Sequence, residues 1–251
     1  MNRIELKSVS ASKIKLYLSC PRRYYYVYSE GIFEKDTKEK DFGTYIHSVI
    51  EDYLKCLIKK REKKDLELLY SIAKNKRKGF ENLKEDGHLS FSEADLLLNR
   101  FALQSINPET IYAIEKFFKL PIEGNMNIEI EGRIDRIDVE YRKDSNHLLH
   151  IIDYKTGKNK ISDEELKDDL QMKTYITAAY LMFRKRYKRF RFTLYYLRDN
   201  SISSYESDYL DDYQKEIVQY AQKMKDDTLY EKKINQQCHQ CPAFSLCKPF
   251  I

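Results

Sequence analysis

Two short segments carry side chains that could perform hydrolysis together. One reads Gly132-Arg133-Ile134-Asp135-Arg136-Ile137-Asp138, the other Ile151-Ile152-Asp153-Tyr154-Lys155-Thr156-Gly157-Lys158. Asp153 and Lys155 stand at i and i+2, so on a strand they point to the same face. A carboxylate offers oxygen to a hard divalent cation. A neighbouring ammonium can orient and help deprotonate a water beside that cation. Asp135, from the other segment, is the candidate second carboxylate. The plain alternative for each pair is an ion pair at the end of a sheet.

Other residues could join them. His47 lies at the edge of an apolar stripe, and a neutral imidazole is a good ligand for a divalent metal. Glu51 follows one turn later and could face the same cleft. Gln171 and Tyr175 are four apart, so on a helix they share a face and could touch a phosphate or a base. Five cysteines stand at 20, 56, 238, 241 and 247. Cys238, Cys241 and Cys247 form a tight ligand cluster. Cys20, directly before Pro21, is the natural fourth thiolate, whereas Cys56 between Leu54 and Leu57 reads as a packed thiol. Four thiolates can hold zinc or a [4Fe–4S] cluster, and His239 could also serve a zinc site. Either metal would staple the two ends of the chain and couple folding to metal.

The elements that must position these groups can be sketched from periodicity. Ser10 to Ser19 reads as a helix capped by Ser10 or Ser12 and stopped near Pro21. Residues 43–61 form a helix, with Ile46, Ile50, Tyr53, Leu54, Leu57 and Ile58 recurring at helical spacing. Residues 62–105 read as helical, with breaks at Gly79 and Asp86-Gly87, and 109–119 as a further helix ending near Pro121. The pattern then alternates as in a strand from Ile128 to Tyr141 and slips by one at Asp135, which predicts a bulge or a bend. A turn at Asp144-Ser145-Asn146 leads to a second strand, Leu148 to Tyr154. A helix over 163–183 capped by Ser162, strands over 189–197 and 202–205, and a helix over 208–228 complete the sketch.

Composition limits the alternatives. The chain has 251 residues, 45 Lys+Arg against 40 Asp+Glu, and 42% hydrophobic residues, which suits one folded core and not a disordered or fibrous chain. The longest apolar run, Thr177–Phe183, is too short to span a membrane. Residues 1–20 hold five charged side chains and no apolar h-region, so a cytoplasmic location is expected. No phosphate-cradling or dinucleotide glycine motif occurs. Twenty-one Tyr among many Lys suit a surface that follows a phosphate backbone, although codon bias gives the same composition. The densest basic run covers 184–191, so Arg184, Lys185, Arg186, Lys188 and Arg189 are candidate DNA contacts. The runs at 59–64 and 74–78 are further candidates, each equally readable as a solvated helix face.

Taken together, these segments resemble the RecB-like branch of the PD-(D/E)XK nuclease superfamily. The likeness is to its iron–sulfur members, the AddB-type nuclease domain and CRISPR-associated RecB-like exonucleases. The carrying segments are Ser10–Ile14 with Cys20-Pro21-Arg22-Arg23-Tyr24, Gly43-Thr44-Tyr45-Ile46-His47, Gly132–Arg136, Ile152–Gly157, Gln171-x-x-x-Tyr175, and the closing three cysteines. They occur in family order from residue 10 to 247.

The resemblance implies an α/β fold of restriction-endonuclease type. A mixed central sheet is flanked by helices, with a helical insertion at 60–125 and a metal-stapled tail at 238–247, as one nuclease domain over 1–251. It implies a Mg²⁺ or Mn²⁺ site formed by His47, Asp135, Asp153 and the carbonyl of Tyr154. Lys155, Asp135 and Asp153 become catalytic, with Gln171 and Tyr175 orienting the strand, and Cys20, Cys238, Cys241 and Cys247 become ligands of a [4Fe–4S] cluster. The implied activity is DNA hydrolysis, exonucleolytic, in repair, recombination or CRISPR adaptation with protein partners. The alternative is a non-catalytic nucleic-acid-binding subunit stabilised by a four-cysteine metal site.

Overall fold

The computed structural model describes residues 4–33, 37–61, 64–84, 87–122, 127–143, 147–208 and 211–247. In chain order the elements are β1 (Ser8–Val9), α1 (Ala11–Ser19), α2 (Pro21–Tyr28), α3 (Lys38–Lys60), α4 (Leu66–Lys76), α5 (Phe91–Phe101), β2 (Ile111–Pro121), β3 (Glu129–Glu140) and β4 (Leu148–Lys155). Then follow α6 (Asp163–Leu166), α7 (Leu170–Phe183), β5 (Arg189–Tyr196), β6 (Ser201–Asp208), α8 (Asp211–Asp226) and α9 (Phe244–Cys247). The chain forms two compact units. One holds residues 1–35, 118–132 and 210–251, the other 36–117 and 133–209.

The second unit carries the expected mixed sheet flanked by helices. β3 runs antiparallel to β4, β4 parallel to β5, and β5 antiparallel to β6. Successive strand residues face opposite sides, so Asp153 and Phe192 lie on one side and Tyr154 and Tyr195 on the other. α7 covers the first side, with Tyr175 edge-on to Phe192 at 5.9 Å and Tyr180 on Phe190 at 6.2 Å. α3, α4 and α5 build the large apolar cluster that includes Ile152, Tyr154 and Leu197. α3 is well specified locally. The Thr37 side chain caps it, Glu39 and Asp41 sit in its first turn, and Lys59 and Lys60 close it.

In the first unit, β1 pairs in parallel with the start of β3, Ser8 opposite Glu129. Ser10 caps α1 as expected. α1, α2 and α8 enclose a tyrosine-rich core. Tyr17 donates to Asp227 at 2.8 Å, Tyr25 lies 4.9 Å from Tyr230, and the Arg22 Nε donates to the Tyr230 carbonyl at 2.7 Å.

Three sequence expectations need correction. Residues 111–121 are a strand, not a helix. Ile111, Tyr112, Ile114, Phe117 and Phe118 are β-branched or aromatic, and they pair with β3 instead of closing an apolar helical stripe. Within the 60–125 segment the α-helices therefore end at Phe101, and only a short 3-10 turn at Pro108–Thr110 precedes the strand. The 163–183 helix is two helices, because Asp169 accepts from the Gln171 and Met172 N–H groups and starts α7 afresh. Ser162 caps only the short α6. From Arg136 to Glu140 the register of β3 with β4 is continuous, and Asp135, where the pattern slips, lies just outside that paired stretch. Both faces of β3 are buried there, and Arg136 and Asp138 fill one of them as an ion pair. The turn at 144–146 and the break at Asp86 lie outside the described residues.

Candidate active site

β3, β4, α3 and α7 deliver the catalytic candidates to one place in the second unit. Asp135 projects from β3, and its Oδ2 accepts the Tyr154 N–H of β4 at 2.8 Å. The same oxygen lies 3.4 Å from His47 Nδ1 on α3. Asp153 and Lys155 share a face as expected, with Lys155 Nζ 2.7 Å from Asp153 Oδ2. Gln171 joins them, since its Nε2 donates to Asp153 Oδ1 at 2.6 Å and its Oε1 accepts from Lys155 Nζ at 2.9 Å. One amide fixes a carboxylate and an ammonium at once, which also fixes the orientation of the amide. The Tyr175 hydroxyl donates to the Arg133 carbonyl at 2.7 Å, so Tyr175 ties α7 to β3.

A residue that the pattern of the chain left hidden completes the site. Glu115 on β2 joins His47 and Asp135, with one ligand atom from each of the three within 4.8 Å of the others. Glu115 has φ +49°, the left-handed region that non-glycine residues rarely occupy, and it interrupts the extended run of β2. A helical reading of 109–119 conceals it. The signal is a single acid inside the apolar-aromatic run Ile111-Tyr112-Ala113-Ile114-Glu115-Lys116-Phe117-Phe118. Glu51, the other acid considered for the cleft, pairs with Lys55 at 2.5 Å.

The electrostatics suit a cation. Burial, Asp135 and Glu51 push Glu115 up to about 7, against the pull of His47 and Arg133. Burial opposes charge on His47, but Asp135, Asp153 and Glu115 outweigh it and raise its pKa to about 9. Burial and the neighbouring Asp135 raise Asp153. Burial works against the Lys155 ammonium, yet Asp153 and Asp135 prevail and hold it charged. The buried Asp153 Oδ2 has the Lys155 ion pair but no well-directed hydrogen bond. Three carboxylates short of positive charge, with an imidazole and an oxygen lacking an aligned donor, fit a hard divalent ion. His47, Glu115, Asp135 and Asp153 are the side chains that could hold it.

The cysteines meet in the first unit. Cys20, Cys238, Cys241 and Cys247 line one small cavity together with Arg22 and Lys233. The Cys20 and Cys238 sulfurs accept the N–H groups of Lys233 and Asn235, each at 3.4 Å. Burial and the nearby Cys20 and Cys241 raise Cys247, against Arg22 and Lys232. His239 lies against Phe244 at 5.8 Å and is not among the residues lining this cavity. Cys56 is half-buried on α3.

Part of each basic run is engaged in ion pairs. Arg189 pairs with Glu206 at 2.5 Å and with Asp208 at 3.4 Å, and Arg191 joins Glu206 to Glu140. Arg184, Lys185, Arg186 and Lys188 are exposed. Lys60 pairs with Asp65, Lys76 with Asp52 and Arg77 with Asp95.

A strand-end Asp-x-Lys, a second carboxylate on the neighbouring strand and a helix-borne Gln and Tyr on a mixed sheet define a class. The chain belongs to the PD-(D/E)XK nuclease superfamily, whose family model matches residues 8–248. Members of this superfamily use a divalent metal, and the His47–Glu115–Asp135 group is present for one.

The curated relatives are, by name, subunits of an ATP-dependent helicase/deoxyribonuclease. The one from Clostridioides difficile is 26% identical over 199 residues, covering 67% of this chain and 17% of its own length. The one from Clostridium acetobutylicum is 27% identical over 209 residues, covering 68% and 17%. The one from Carboxydothermus hydrogenoformans is 26% identical over 201 residues, covering 69% and 18%. This chain thus spans under a fifth of the length of the curated relatives it matches. No helix among the described residues is long and apolar enough to cross a membrane.

Proposed function

We propose that the chain is a Mg²⁺- or Mn²⁺-dependent deoxyribonuclease, exonucleolytic in action, with a structural [4Fe–4S] cluster. The observation that carries the reading is the Asp153–Gln171–Lys155 bridge beside Asp135. A bound divalent cation would polarise the phosphodiester and lower the pKa of its water. His47, Glu115, Asp135, Asp153 and the Tyr154 carbonyl are the groups to hold it. Lys155, kept charged by Asp153, positions the attacking water and stabilises negative charge as it develops on the phosphate. Gln171 bridges the paired ammonium and carboxylate and so fixes the orientation of both. Tyr175 holds β3 against α7 and orients the strand.

The activity named for the helicase/deoxyribonuclease relatives supports DNA as substrate and a multi-protein setting as its context. Arg184, Lys185, Arg186, Lys188 and Arg189 would add sequence-independent affinity. The four cysteines fit a cluster because they converge on one cavity beside cations and backbone donors.

The test is cleavage of end-labelled single- and double-stranded DNA in Mg²⁺ or Mn²⁺, with wild type and Lys155→Ala purified anaerobically side by side. Wild type should cut and Lys155→Ala should lose roughly 10²–10³-fold or more. Asp153→Ala should behave alike. Equal cleavage by the variants would remove this site as the catalyst. DNA bound but uncut by wild type would make the chain a nucleic-acid-binding component instead.

A further inference from the structure

Asp135 and Tyr154 meet where the β3–β4 ladder runs out. The paired register extends from Glu140↔Leu148 to Arg136↔Ile152. Beyond it, the Tyr154 N–H donates to the Asp135 carboxylate at 2.8 Å. The two groups that must keep a fixed separation for a shared cation are therefore joined by a single hydrogen bond to one of the ligands themselves.

The opposite face of the same strands holds a second tie. Arg136 and Asp138 are 5% and 7% exposed, and they are i and i+2 on β3, so they share a face. The Arg136 Nε donates to Asp138 Oδ1 at 2.7 Å and its Nη2 donates to Oδ2. The remaining nitrogen, Nη1, donates across to the Tyr154 hydroxyl at 3.2 Å. The two-point grip of Asp138 fixes the plane of the guanidinium, and that plane aims Nη1 at β4. The Tyr154 ring is held from its other side by Phe101 of α5, edge-on at 5.5 Å. A buried ion pair gains little over an apolar pair of the same volume. What an apolar pair could not supply is a directional bond from β3 to Tyr154.

We propose that Arg136, Asp138 and the Tyr154 hydroxyl form a positioning clamp that sets the divalent-cation affinity of the site from behind the sheet. None of the three side chains faces the cation; they act through Asp135 and the Tyr154 backbone. The inference rests on the metal-site reading given above.

The experiment measures Mn²⁺ binding to the full chain by electron paramagnetic resonance, alongside thermal melting. The variants are Tyr154→Phe, which removes one oxygen and keeps the ring, and Arg136→Lys, which keeps the charge but cannot fork. Both should bind Mn²⁺ about tenfold or more weakly, as is typical for groups that orient metal ligands. Saturating Mn²⁺ should restore most of the turnover, so the loss lies in metal affinity. A lowered melting temperature with wild-type Mn²⁺ affinity in the folded variants would reduce the trio to a packing role and overturn the clamp. If Tyr154→Phe does not fold, Arg136→Lys decides alone. No Mn²⁺ binding by wild type would overturn the metal reading itself, and the clamp with it.

Discussion

At the scale of single residues, the proposed cation pocket holds groups that protons can also occupy. With no metal, His47 keeps a proton up to about pH 9 and Glu115 up to about pH 7. A metal ligand must be deprotonated, so cation and protons compete. Below about 7 both groups are protonated, so an ion held by both would displace two protons from them; between about 7 and 9 it would displace one. Each proton displaced weakens apparent affinity about tenfold per pH unit of acidification. Calorimetry with Mg²⁺ in buffers of different ionisation enthalpy should find about two protons released at pH 6 and about one at pH 8, by the same linkage. In Glu115→Gln the value at pH 6 should fall to about one, because the second proton is gone. A release that is zero at both pH values would mean that His47 and Glu115 are not ligands.

At the scale of elements, the site depends on α5 and α3 holding the loop that follows β4. Arg198 donates from Nε to the Thr156 carbonyl at 2.7 Å and pairs through Nη1 with Glu93 of α5. On α3, an added Cβ at Gly43 would sit 3.4 Å from Thr156 Oγ1, so α3 comes close to that loop because residue 43 has no side chain. Burial opposes charge on Glu93, but Arg198 and the Leu89 N–H outweigh it and hold its pKa near 2. A depressed carboxylate stabilises the fold above its unfolded pKa of about 4.3, and that gain fades as pH falls towards 2. Arg198→Ala should cost about 1–3 kcal/mol at pH 7 by removing the cationic partner of Glu93 and the donor to the Thr156 carbonyl. In urea melts the gap to wild type should narrow from pH 5 towards pH 2, and a gap independent of pH would refute the pairing. These ties show why the chain was legible in part. Asp153, Lys155, Gln171 and Tyr175 announce themselves because i,i+2 and i,i+4 spacings are local. Glu115, Arg198 and Glu93 reach the site through long-range pairing, which spacing does not encode. The aromatic run at 111–118 misled because helical and strand periods are hard to separate over so few residues.

At the scale of the whole molecule, the candidate catalytic residues and the clustered cysteines belong to different units. The Asp135, Asp153 and Lys155 site lies in residues 36–117 and 133–209, whereas all four clustered cysteines lie in the unit formed by both ends of the chain. That unit encloses a core of tyrosines on α1, α2 and α8 and draws on segments over two hundred residues apart, so closing it costs chain entropy that a metal cluster can offset. Local stability should then divide along the same line. Cys241→Ser should bleach the brown colour of an anaerobic preparation. By hydrogen exchange, amides of α1, α2 and α8 should lose protection of at least tenfold while β4, β5 and α7 keep theirs. Residual Mg²⁺-dependent cleavage should survive at temperatures where the first unit is frayed. Two results would defeat the staple: a colourless wild type with zinc by elemental analysis would replace iron as its metal, and unchanged exchange in Cys241→Ser would show that the tyrosine core closes the unit by itself.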